Sequence, residues 1–147
     1  MSMVIGFSQL EPLAEPSPPT DEQVRRQVWE ILSGLYPPGQ STDRRFTQRF
    51  PYPQLLYLTA VDKDGISPTG DSVVVVGKHL SERGLGFFYP REPLPYRRMI
   101  ASLEIRESRW TAFLMDIVWY RFTQHGWYES GGRFLQSVPV PVRLHTS

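Results

Sequence analysis

Leu55-Leu56-Tyr57-Leu58-Thr59-Ala60-Val61, then Asp64-Gly65, then Ser72-Val73-Val74-Val75-Val76-Gly77, reads as two strands joined by a turn. Both runs are rich in residues that fit a pleated, half-buried surface, and Asp-Gly suits a tight hairpin turn. Asp62-Lys63-Asp64-Gly65 begins like a calcium loop, but Ile66 and Pro68 occupy the next ligand positions and no Glu closes the loop, so a turn is the better reading. The same alternation of apolar run and turn continues through 85–89 (ending at Pro90), 98–105, 110–122 and 127–135, with breaks expected at His125-Gly126 and Gly131-Gly132. Segment 110–122 exceeds the usual strand length and is expected to bend or split. No helical period intervenes. The pattern therefore predicts a mainly β fold, a small nearly closed antiparallel barrel rather than an open α/β sheet.

Upstream of the barrel the pattern changes. Residues 1–19 carry Pro12, Pro16, Pro18 and Pro19 with Glu11 and Glu15 and show no period, which predicts a flexible leader. Thr20 precedes Asp21-Glu22-Gln23, a capping arrangement, and Val24, Val28, Ile31 and Leu35 then share one face until Gly34 and Pro37-Pro38 end the pattern. One short amphipathic helix is expected over 20–35, with Trp29 beside its stripe and its apolar side against its own domain. The expected partition is completed by a linker at 36–43, the barrel at 44–136, and a tail at 137–147 in which Pro139 and Pro141 permit at most an edge strand.

Composition narrows the function classes. The 147 residues include no cysteine, which excludes disulfides, thiolate metal sites and a cysteine nucleophile. His79, His125 and His145 are widely separated and form no metal-ligand spacing, and no phosphate loop, dinucleotide fingerprint or nucleophile elbow is present. The expectation is a protein that is not an enzyme, with no catalytic residues, metal or cofactor. A net charge of +1 argues against a DNA-binding surface, and the chain lacks an apolar run of membrane-spanning length or a signal-peptide pattern, so a soluble cytoplasmic protein is expected. Of sixteen basic residues only Lys63 and Lys78 are Lys, leaving fourteen Arg. Arg has the planar fork that matches phosphate and the guanine edge.

Two motifs stand out. Asp43-Arg44-Arg45-Phe46-Thr47-Gln48-Arg49-Phe50-Pro51 gathers three arginines just before the first long strand, where Pro37-Pro38, Pro51 and Pro53 disfavour a helix. About thirty residues later comes His79-Leu80-Ser81-Glu82-Arg83-Gly84-Leu85-Gly86-Phe87-Phe88, a polar turn leading into an apolar strand. Together these resemble the PilZ domain family, whose signature is Arg-x-x-x-Arg followed, after one or two strands, by Asp/Asn-x-Ser-x-x-Gly. Arg45 and Arg49 match the first half, Ser81 and Gly84 the second, and His79 stands where the family has Asp or Asn. Gly132-Arg133-Phe134-Leu135 resembles the family's closing strand.

What the resemblance implies is a six- or seven-stranded barrel that binds cyclic dimeric guanosine monophosphate (c-di-GMP) and signals through a protein partner. Arg44, Arg45, Arg49, His79, Ser81 and Gly84 would then form the site: guanidinium groups for phosphates and guanines, a hydroxyl from Ser81, and close backbone approach at Gly84. Arg44 resembles the extra arginine of members that accept an intercalated ligand pair. A neutral His79 offers one donor and one acceptor, not the two acceptors of a carboxylate facing a guanine edge. A second reading therefore stays open, a PilZ-like adaptor that binds protein and no nucleotide.

Overall fold

The computed structural model describes residues 4–6, 21–36, 49–89 and 97–141. Among these the elements are β1 (Val4–Gly6), α1 (Asp21–Leu35), β2 (Phe50–Pro51), β3 (Leu55–Val61), β4 (Pro68–Leu80), β5 (Gly84–Tyr89), β6 (Arg98–Arg106), β7 (Arg109–Phe122) and β8 (Tyr128–Val138). Strands β3, β4, β5, β8, β7 and β6 pair in that order, all antiparallel, and β6 returns to β3, closing a six-stranded barrel. The fold is the mainly β barrel with one short helix that the sequence predicts. Among the described residues no helix is long and apolar enough to cross a membrane.

The barrel interior holds Leu56, Leu58, Val75, Phe87, Leu103, Phe113 and Met115, all essentially inaccessible, with Phe113 and Phe134 stacked at 4.3 Å between centroids. Helix α1 belongs to the same core. Val24, Val28, Ile31 and Leu32 are buried in the cluster that contains Phe50, Tyr52 and the barrel's inward side chains. Each such side chain contributes about 1.5–3 kcal/mol by leaving water. The stripe differs by one position from the expected one: Leu32 is buried and Leu35 is exposed, because the face turned to the barrel follows an i, i+4, i+7, i+8 spacing.

Other differences from the sequence reading have local causes. Val4–Gly6, inside the expected leader, forms a short strand on the edge of β7 beyond the end of β6. Strand β7 runs unbroken, absorbing its length through register shifts at Leu114/Met115 and Ile117/Trp119 against β8. Gly131 and Gly132 lie in mid-strand on β8 and do not break it. A Cβ on Gly132 would come within 2.3 Å of Met115 Sδ, so glycine there serves close packing. The Asp62–Gly65 segment is a turn, with Asp64 Oδ1 accepting from the Ile66 and Ser67 amides.

Strands β2 and β3 follow the same edge of β4. Pro53 interrupts them, and the ladder is carried across the gap by Tyr52 N–H to Lys78 O at 2.9 Å and Gly77 N–H to Gln54 O at 2.8 Å. This irregular junction places Arg49, the residue just before β2, beside the far end of β4 and the turn into β5.

Candidate functional site

The β4–β5 turn is built by Ser81. Its amide donates to Gly84 O at 2.9 Å, and its Oγ accepts from the Arg83 and Gly84 amides at 3.2 and 3.3 Å. Ser81 thus supplies the turn with hydrogen bonds that would otherwise go unmade. Gly84 is required for a separate reason: a Cβ there would sit 2.0 Å from Gly132 O, so only glycine lets β5 approach β8 this closely. The resemblance assigns Gly84 to ligand approach, whereas the backbone it admits here is that of β8.

One row across the barrel's outer surface reads His79, Gly86, Gly131, Trp119, on β4, β5, β8 and β7 in turn. The two central glycines make room for the two rings. A Cβ on Gly86 would come within 2.5 Å of His79 Cε1, and one on Gly131 within 2.2 Å of Trp119 Nε1. Imidazole and indole therefore lie down onto neighbouring strands.

Above this row is a groove of about 190 Å³. Arg49, His79, Ser81 and Gly84 line it, so four of the six site residues expected from sequence come together. Arg44 and Arg45 lie outside the described residues. Arg83, Arg133 and Trp119 also line the groove and were not identified as site residues from sequence. Arg83 sits inside the second motif, and Arg133 reaches the groove because it pairs with Gly84 across β5 and β8. Among the described lining residues there are three arginines and no carboxylate, so the groove concentrates positive charge in a chain of nearly zero net charge.

Burial, and then the charges of Arg49 and Lys78, hold the His79 imidazole below its usual range, so it is neutral at pH 7. A neutral imidazole presents one N–H donor and one acceptor.

The neighbouring row is occupied by a structural ion cluster. Glu129, 4% exposed, accepts from Lys78 Nζ at 2.6 Å and from Arg121 Nε and Nη2 at 3.0 and 2.7 Å. Lys78 also stands 5.7 Å from the Phe88 ring centroid. Burial raises the Glu129 carboxyl, but the two cations outweigh it and the net shift is downward. Among the described residues no group of three or more potential metal ligands occurs. The chain matches no protein-family model, no curated protein and no solved structure.

Proposed function

We propose that the chain is a receptor for c-di-GMP, binding it in the groove between β2, the β4–β5 turn and β8, and signalling by altering the surface offered to a protein partner. The observation that carries the reading is that Arg49, about thirty residues upstream, comes to the same groove as His79, Ser81 and Gly84 at the β4–β5 turn, with two further arginines and no carboxylate among the described lining residues. Such a groove suits a ligand with two phosphates and two guanines, since guanidinium groups pair bidentately with phosphate oxygens or with guanine O6 and N7. The flat Trp119 and His79 rings offer faces on which a planar base stacks.

The adaptor reading is supported by a different observation: Ser81 and Gly84 each have a complete structural reason to be where they are, in the turn and in the β5–β8 contact. Calorimetric titration decides between the two. Under the receptor reading c-di-GMP binds saturably and Arg49→Ala weakens it at least about tenfold, the loss of one charge-assisted contact of about 1.5–3 kcal/mol. A flat titration well above micromolar ligand would leave the adaptor.

A further inference from the structure

The two walls of the groove are both held from outside by one side chain of α1. Trp29 is not among the described residues that line the groove. Its ring meets Phe50 edge-on with centroids 5.4 Å apart, and Phe50 directly follows Arg49. Its indole N–H donates to Glu82 Oε2, and Glu82 stands between Ser81 and Arg83. Arg25, one helical turn earlier, places Nε 2.9 Å from Glu82 Oε1, within ion-pair distance though not aligned as a hydrogen bond. The Glu82 side chain is only 8% exposed, so the carboxylate depends on these two helix residues for compensation. At the end of α1, the Tyr36 hydroxyl donates to Pro51 O at 2.6 Å and its ring lies 5.7 Å from that of Phe50, a second tie to β2.

We propose that α1 is the regulated element of this groove: an anion held by Arg49 and the 81–83 turn tightens the seating of α1 on the barrel, and the seating of α1 in turn sets the affinity for that anion. The identity of the anion as c-di-GMP rests on the receptor reading above. The coupling follows from shared parts. A ligand that fixes Arg49 and the turn also fixes Phe50 and Glu82, the two groups Trp29 must find together, so less freedom is lost when the helix docks. Linkage makes the effect reciprocal. The outer face of α1, with exposed Glu22, Arg26, Glu30 and Ser33, is then the surface whose presentation changes for a partner.

Hydrogen exchange on the full chain tests this in two arms. Without ligand, Ser81→Ala loosens the turn and speeds exchange of α1 amides at least about threefold relative to β6 amides. With c-di-GMP, wild-type α1 amides slow, and Trp29→Phe, which keeps an aromatic ring but loses the pyrrole half of the indole with its N–H, binds at least about fivefold more weakly without touching the groove. Tyr36→Phe, which removes the hydroxyl donor to Pro51 O, weakens binding in the same direction and serves if Trp29→Phe fails to fold. Saturable binding with α1 exchange unchanged, or Trp29→Phe and Tyr36→Phe binding like wild type, overturns the proposal, as does α1 exchange unaffected by Ser81→Ala. A wild type that ignores c-di-GMP while Ser81→Ala loosens α1 refutes the nucleotide and leaves the coupling standing for another anion.

Discussion

His79 lies over Gly86 with its imidazole partly desolvated and two cations nearby, and its pKa is lowered in consequence. As pH falls, the unfolded chain takes up this proton before the folded one. The contribution to stability is therefore complete above about pH 6.5 and declines as pH drops below it toward the folded value. Denaturant titrations at pH 7.5 and pH 5 should show wild type losing more stability than His79→Gln over that interval; equal losses would contradict the environment described. Gly131 allows an equally specific test. Gly131→Ala drives a methyl into the Trp119 indole and should cost about 1–3 kcal/mol, read by thermal melting with a change in tryptophan emission. The motif spacing was enough to bring Arg49, His79, Ser81 and Gly84 together in advance. The rings and glycines beneath them were not legible, because Trp119 meets Gly131 only through the β7–β8 register, which a linear pattern does not contain. A Gly-Gly pair within an apolar run has two meanings, break or close approach, and only the neighbouring strand decides which.

Among the elements, β3 was readable to its ends, since apolar β-formers stop at the Asp62–Gly65 turn on one side and at Pro53 on the other. Strand β4 extends well beyond the valine run. Its exposed first half is held by β3 and its last residues by β2, so pairing and not composition sets its length. The helix was legible in extent and in its buried Val24, Val28 and Ile31, but not in the last member of the stripe, because Leu35 and Leu32 both satisfy helical spacing. The described packing separates them by mutation. Leu32→Ala should destabilise by about 2–5 kcal/mol, whereas Leu35→Ala should stay within about 0.5 kcal/mol, measured by chemical unfolding. Comparable losses at both positions would mean that α1 sits on the barrel in a different rotation.

At the scale of the whole molecule, closure of the sheet removes most free strand edges, and α1 shares the barrel's core. The groove and the Glu129 ion cluster both lie on the outer surface. There the Glu129 cluster braces β4, β7 and β8 one row away from the groove. The Glu129 carboxyl is lowered because Lys78 and Arg121 outweigh its burial, so its stabilising effect is present above the usual carboxylate range, near pH 4.3, and is lost as pH falls through the folded value. Acid unfolding should accordingly be steeper in wild type than in Glu129→Gln, followed by circular dichroism, and identical profiles would remove the cluster from the account. In the groove three arginines and two flattened rings meet without a described carboxylate. Isothermal titration of the full chain with c-di-GMP, beside Arg49→Ala and Arg49→Lys, tests the groove as a nucleotide site. Wild type should bind saturably, Arg49→Ala at least about tenfold more weakly, and Arg49→Lys should recover binding only in part, since Lys supplies charge but not the planar fork. No heat of binding from wild type, or equal binding by all three proteins, would contradict that reading of the groove.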